Sequence, residues 1–452
     1  MRKAIMGLIM VGALASAAVA LPTGPGGTLY FGGLATHTGA IHGTVIYRIN
    51  VDSDWNRVDD DGNVLASGVV STVCTINAEI DEGNSSGTTG FGSPEIWVNP
   101  SSDKMDMAGQ YNNATLVLGA YYNNTPAACD AGGLQGADLI TVDARTLAVT
   151  VLNEGFGSSG APDTGGFDHL VPVDSGWTPG GEALGMAVVC GGSDYTGTSG
   201  VWVDSDGNGT YEEGIARSTG YREVEYIAIN SGYEVNGEVV TGAVIGHSYA
   251  STNAVYKTAT GYVSVTSSDS TMDPTATIGS FDGVGVADTD QNGVPDVYWS
   301  SGDRDLVHAT DLNNDGDWAD DGEAWVMTGF TVPGGSSQGP FDMEVIACPN
   351  GKFVLLWYGH CHKWSSNDTL AVYAYELDEY GDILGEGLAL GECNVDQGTG
   401  DLGMSEFETY GMELEFAPLG EAGSQAPEPA TMLLVGTGML SLAGVVRRRL
   451  LG

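Results

Sequence analysis

Val284-Gly-Val-Ala287-Asp288-Thr-Asp290-Gln-Asn292-Gly293-Val-Pro-Asp296-Val-Tyr-Trp-Ser300 is the stretch on which the reading of this chain turns. Two short runs of strand-forming residues flank a loop in which Asp or Asn recurs at every second position, D-x-D-x-N-G-x-x-D. Calcium takes about six to eight hard oxygen ligands, and a tight loop turns its residues 1, 3 and 5 to the same side. Glycine at position 6 allows the sharp bend, and a carboxylate at position 9 or later closes the shell. Asp288, Asp290, Asn292 and Asp296 are therefore the expected ligands of a structural Ca2+. A solvated Asx turn is the simpler alternative for any single D-x-D-x-N.

Three further segments follow the same spacing. Asp311-Leu-Asn313-Asn-Asp315-Gly316-Asp317 keeps the whole start, with Asp320 and Glu323 following. Asp204-Ser-Asp206-Gly-Asn208-Gly209 is followed by Glu212 and Glu213, and Asp52-Ser-Asp54-Trp-Asn56 is the weakest, because Arg57 stands where the turn glycine belongs. Helix-loop-helix calcium sites and dockerins place a helix after the loop, whereas Asp296-Val-Tyr-Trp-Ser300 reads as a strand. Strand, loop, strand over roughly residues 279–301 resembles the FG-GAP repeat of integrin-type propellers, and the other segments match it in part. That resemblance implies ions that hold hairpins together and take no part in chemistry.

Outward from these loops, the same pattern of short strands persists. Val45–Ile49, Glu95–Val98, Leu139–Val142, Val201–Val203, Ala254–Lys257, Val297–Ser300 and Leu370–Tyr375 are β-branched or aromatic runs between Gly-rich turns. With 69 glycines, 19 Tyr, 9 Trp and 42% hydrophobic residues, the 452-residue chain is too apolar for general disorder. No sustained 3.6-residue apolar period runs through the body. The runs lie roughly one four-stranded blade apart, which predicts an all-β fold over residues 21–420, a β-propeller of about five to eight blades. A two-domain β-sandwich is the alternative, although no Pro- or Ser-rich linker divides the body.

Both ends read as addresses. Arg2-Lys3, an apolar stretch from Ala4 to Val11 and the small residues Ala18-Val19-Ala20 predict a secretory signal peptide over 1–20. An N-terminal anchor helix is the alternative. Residues 421–452 hold a short linker, Pro427-Glu428-Pro429, an apolar span from Ala430 to Val446, and Arg447-Arg448-Arg449. An apolar span of this length can cross a bilayer as one helix, and the Arg triplet keeps its end in the cytoplasm. The tripartite tail closely resembles the PEP-CTERM sorting signal of Gram-negative bacteria. The resemblance implies delivery by the secretion machinery, transient membrane anchoring, cleavage by an exosortase, and release to the cell surface or exopolysaccharide matrix.

The formal net charge is -44, and losing both ends moves it to about -48, because five basic residues leave with only Glu428. Such a chain lacks the clustered Lys and Arg that nucleic acid or anionic lipid requires. Cys74, Cys129, Cys190, Cys348, Cys361 and Cys393 suit disulfides in an exported protein, in pairings left open. His360-Cys361-His362 would place two imidazoles on one strand face, or end a strand with a bridged cysteine. No nucleophile elbow, H-E-x-x-H or phosphate loop is present, so no catalytic residue is assigned. Carboxylate pairs such as Asp59-Asp60 and Glu212-Glu213 suit glycoside chemistry but recur by chance in an acidic chain. The expectation is a non-catalytic surface module that binds exopolysaccharide or surface proteins, or serves structurally. A secreted hydrolase or lyase acting on matrix polysaccharide is the alternative.

Overall fold

The computed structural model describes residues 21–35, 42–65, 71–78, 95–99, 110–122, 136–146, 149–153, 169–173, 185–189, 198–203, 212–219, 223–248, 251–259, 261–268, 283–301, 305–318, 320–327, 330, 340–361, 369–394, 399–400 and 414–419. The expected leader at 1–20, the Asp204, Asp206 and Asn208 segment, and the sorting segment with its expected membrane helix lie outside these residues.

Among the described residues the regular elements are all β, in six antiparallel sheets. β1 (Gly27–Ala35), β2 (His42–Val51), β3 (Arg57–Val58) and β4 (Ser71–Ala78) build the first. β5 (Glu95–Asn99), β6 (Thr115–Tyr122), β7 (Gly136–Asp143) and β8 (Val149–Asn153) build the second. The third holds β9 (His169–Val173), β10 (Gly185–Val189), β11 (Thr198–Val203) and β12 (Glu212–Thr219). β13 (Glu223–Ala228), β14 (Glu234–Val235), β15 (Glu238–Ser248), β16 (Ser251–Thr258) and β17 (Tyr262–Ser268) form the fourth. The fifth is β18 (Val284–Ala287), β19 (Asp296–Ser301), β20 (Asp305–Thr310) and β21 (Ala324–Val326). β22 (Pro340–Ala347), β23 (Phe353–Cys361), β24 (Thr369–Glu376), β25 (Leu388–Asn394) and β26 (Thr399–Gly400) form the sixth. β27 (Leu414–Pro418) then returns to pair with β1.

β5, β9, β13, β18, β22 and β27 each stand at one edge of their sheet, and each packs against the next, with β27 against β5 completing the circuit. This is a propeller-like arrangement, in which the cores lie between neighbouring sheets. β23 shows why the sequence takes it. Phe353-Val-Leu-Leu-Trp-Tyr358 is apolar without alternation, as a strand covered on both faces must be. Val354, Leu356 and Tyr358 pack toward the first sheet with Leu29, Phe31 and Phe416. Leu355 and Trp357 point the other way, toward Tyr298 and Leu306 of the fifth. All seven apolar runs expected as strands lie in strands, but Glu95–Val98 and Leu139–Val142 share the second sheet as β5 and β7. The runs therefore do not mark one sheet each.

One turn recurs. At Asp52–Asn56, Asp59–Asn63, Cys348–Lys352 and Asp378–Asp382, the first amide donates to the fifth carbonyl at 2.7–2.9 Å and the fourth amide donates back to the first carbonyl. The fourth residue must be left-handed, with φ of 62° at Trp55, 81° at Gly62, 78° at Gly351 and 82° at Gly381. In the three turns that start with Asp, its Oδ1 accepts the third and fifth amides at 2.8–3.0 Å. Asp52, Asp54 and Asn56 thus sit in a hairpin turn, and the Asp52 carboxylate is engaged by the amides of Asp54 and Asn56.

The ring closes through β27. Its ladder to β1 pairs Gly27 with Pro418 and Phe31 with Leu414. Gly27 is required there, because a Cβ would lie 2.3 Å from Ala417 O. On the other edge of β27, the Leu414 amide donates to Asp342 Oδ2 at 2.5 Å, and the Phe416 amide donates to Glu344. Both acceptors belong to β22, so carboxylates cap the edge amides that no strand pairs. A chain ending at Ala426 keeps both sets of bonds and is expected to fold as soluble protein. A chain ending at Glu413 loses β27 and is expected to aggregate, as size-exclusion chromatography would show; equal solubility of the two would overturn the closure argument.

Glu344 carries a second consequence. Burial, with the charges of Glu225 and Asp342, raises its pKa well above the usual carboxyl range, against the Phe416 amide. Its Oε2 is buried without a hydrogen bond. The folded state therefore holds this proton more tightly than the unfolded chain, so the associated stability is present in acid and lost as pH rises past the ordinary carboxyl value. Each tenfold difference in proton affinity is worth about 1.4 kcal/mol, or about 2 °C in a domain this large. Glu344→Gln is expected to melt at least that much higher than wild type at pH 7.5 and to match it at pH 4. A lower melting temperature at pH 7.5 would count against this assignment.

Candidate metal centre

β18 and β19 pair from Val284 with Trp299 to Ala287 with Asp296, so Asp288 to Pro295 is their connection. Its bends need left-handed backbone at Gln291, φ 58°, and at Gly293, φ 92°. The Gly293 amide donates to Asp288 Oδ2 at 3.0 Å, the position-6 to position-1 bond that the spacing anticipates. Asp290 accepts the Asn292 amide at 3.0 Å and its side-chain amide at 2.8 Å. Asn292 Oδ1 accepts the Val294 amide at 2.7 Å. Asp296, 1% exposed, is fixed by the Thr289 amide at 2.8 Å and the Thr289 hydroxyl at 2.5 Å, both on Oδ2.

One carboxylate oxygen from each of Asp288, Asp290 and Asp296 lies within 4.8 Å of the other two. Asp288 Oδ1 is buried and accepts no hydrogen bond. Burial raises the Asp288 pKa, with the Asp296 and Asp290 charges adding to it and the Gly293 amide opposing. Like charges at about 4 Å repel by roughly 1 kcal/mol in water and about 4 kcal/mol near a protein surface. Three such oxygens with one unpartnered make a set suited to a hard divalent cation.

Behind Asp296 lies His308 of β20, 0% exposed and stacked on Tyr298 at 4.6 Å with Trp325 tilted against it at 4.4 Å. Its Nε2 is 3.2 Å from Asp296 Oδ1, and its Nδ1 is 3.7 Å from Asp382 Oδ1. Neither ring nitrogen is aligned for a hydrogen bond, so the contacts are electrostatic. Burial opposes the imidazolium, but the two carboxylates outweigh it and raise the pKa of His308. The site is thereby tied to the sixth sheet, which also receives the Tyr298 hydroxyl at Gly381 O, 3.1 Å, and Trp325 Nε1 at Asp382, 3.0 Å. His308, Thr289, Tyr298 and Asp382 were not singled out in the sequence, and no local spacing marks them.

The Asp311 loop is held differently. Asp311 Oδ1 accepts the Asn313 and Asn314 amides at 3.1 and 2.6 Å, and Oδ2 accepts the Gly316 amide at 2.7 Å and the Tyr233 hydroxyl. Asn313 Oδ1 takes the Asp315 amide, and Asp315 Oδ1 takes that of Asp317. Glu323, 1% exposed, accepts Leu312 N at 2.9 Å and Asp320 N at 3.0 Å. Tyr256 Oη donates to Gly316 O at 2.9 Å, so two tyrosines of the fourth sheet grip this loop of the fifth.

Elsewhere, Asp60 is bound by Arg48 and Asn50 and its pKa is lowered by the Arg48 contact, while Asp59 caps its turn, so this pair is structural. Glu212 and Glu213 begin β12, and His360 and Cys361 end β23; His362 lies outside the described residues. Cys348 is a free, buried thiol whose pKa burial pushes up to about 11.

A model of the PEP-CTERM protein-sorting motif matches residues 425–449, which include Pro427, Glu428, Pro429, Arg447, Arg448 and Arg449. That motif implies an exported protein, held transiently in the membrane and then cut by an exosortase. No curated protein matches the chain. Among solved structures, an alpha-L-arabinofuranosidase (CtGH43) from Clostridium thermocellum is 11% identical, with TM-score 0.30 over 66% of this chain and 72% of that one. A GH43_1 enzyme from Xanthomonas citri is 12% identical, with TM-score 0.31 over 66% and 92%. A puromycin-hydrolyzing peptidase of Mycobacterium tuberculosis is 12% identical, with TM-score 0.33 over 87% and 55%. Likenesses this distant carry no argument about activity.

Tyr233→Phe removes one partner from the buried Asp311 carboxylate and is expected to lower stability by about 1–3 kcal/mol. Urea unfolding followed by tryptophan fluorescence measures it; an unchanged midpoint would mean that the loop does not depend on the fourth sheet.

Proposed function

We propose that the body is a six-bladed, calcium-stabilised, non-catalytic propeller, delivered by the sorting tail to the cell surface or exopolysaccharide matrix for binding or structural roles. Each sheet is read as one blade. The observation that carries the calcium reading is the convergence of Asp288, Asp290 and Asp296 within 4.8 Å around an unpartnered Asp288 oxygen. The Asp311 loop is proposed as a second, weaker site through Asp311, Asn313, Asp315 and Glu323, since amides already engage Asp311 and Glu323. The Asp204 loop joins them on spacing alone.

A hydrolase acting on matrix polysaccharide would need carboxylates free to meet a substrate. Of the acidic side chains on the inner edge strands, Asp342 and one oxygen of Glu344 are taken up by β27, while Glu344 Oε2 keeps no hydrogen-bond partner.

At calcium a hundredfold above its dissociation constant, one site adds about 2.7 kcal/mol. Thermal melting in chelator and in millimolar CaCl2, with NaCl at matched ionic strength, is the test. Calcium alone is expected to raise the melting temperature by several degrees, and Asp290→Asn to remove most of that rise. Equal stabilisation by NaCl would reduce the effect to screening of an acidic surface and sink the calcium reading.

A further inference from the structure

Beside the Asp288 loop lies a cavity of about 400 Å3, walled on one side by Ile227–Ser231 at the end of β13 and on the other by Asp288 and Gln291–Gly293. That volume falls in the range of small-ligand sites. Its walls are fixed by bonds between sheets. Ser231 Oγ donates to Gly293 O at 2.5 Å, and Gln291 Nε2 donates to Gly351 O at 3.0 Å, so the fourth, fifth and sixth sheets all hold the loop. Gly293 is confined as well, since a Cβ there would lie 2.4 Å from that of Ser231. Ile229 is buried beneath, while the rim offers Asn230, Ser231, Gln291 and Asn292.

We propose that this cavity binds a neutral carbohydrate through the calcium ion, two adjacent sugar hydroxyls completing the ion's coordination. The inference rests on the calcium reading above and assigns that same site a ligand. Asp296 Oδ2 is engaged by Thr289, and Asp288 Oδ2 by Gly293. Both oxygens of Asp290 accept from Asn292, so the cluster offers at most one uncommitted oxygen from each of Asp288 and Asp296, fewer than half of the six to eight that calcium takes. The remaining positions belong to water or ligand, and Asp288 and Asn292 line the cavity directly. Amides and a hydroxyl on the rim suit hydroxyl groups. Among the described residues no Lys or Arg lines the cavity, and the chain's charge of -44 repels anions, so an acidic ligand is disfavoured.

Saturation-transfer NMR on the purified full-length chain with D-mannose, L-fucose and D-galactose, each in millimolar CaCl2 and again in EGTA, tests this. Melting curves on the same samples report the ion separately. The expected result is a transfer signal to at least one sugar that falls fivefold or more in EGTA. It should also fall in Asn230→Trp, which fills the cavity while leaving the calcium-dependent melting shift in place. A calcium-dependent melting shift with no sugar signal overturns this inference and leaves the calcium reading standing. A sugar signal that persists in EGTA or in Asn230→Trp overturns it too. Absence of the melting shift removes both.

Discussion

The arrangement depends on how β27 is held. Its residues stand about 390 positions from their partners in β1, and closing so long a loop costs on the order of 5 kcal/mol in chain entropy before any contact forms. Backbone ladder on one edge and carboxylate caps on the other offset that cost, and no edge amide of Leu414 or Phe416 is left exposed to recruit another chain. With β27 in place, Leu414 and Phe416 complete the core that also contains Leu29, Phe31 and Tyr358. Without it, that core would lose Leu414 and Phe416.

The acidity of the chain resolves into distinct duties. Asp52, Asp59 and Asp378 cap hairpin turns. Asp342 and Glu344 cap a strand edge. Asp311 and Glu323 hold a long loop through amides and a phenol. Only at Asp288, Asp290 and Asp296, among the described residues, do three carboxylates converge with an oxygen to spare. A carboxylate that caps a turn, as at Asp52 or Asp59, is stabilised by N–H dipoles, whereas a convergent set calls for a cation.

Much of this was legible in one dimension. Short β-rich runs identified strands, since period and residue type are local, and the D-x-D-x-N-G spacing located both the Asp288 and Asp311 loops. The assignment of strands to sheets was not legible, because Glu95–Val98 and Leu139–Val142 look like separate repeats until β6 pairs with both. Nor did spacing separate the two loops: what distinguishes them is Tyr233, 78 residues before Asp311, against an Asp288 oxygen that nothing reaches. His308 was invisible for the same reason, as its carboxylate neighbours come from two different sheets.

The pairing of Gly27 with Pro418 also sets a leash. Eight residues separate Pro418 from Pro427, and a chain spans at most about 3.5 Å per residue, so the sorting motif begins within about 30 Å of this ladder. Leu21 packs against the same core, so the first described residues and those that precede the sorting motif leave from one end of one ladder. The sorting motif and the start of the body are thereby tethered at the same end of one ladder, so a cut at the motif would release the body from the side where its chain begins and ends its sheet.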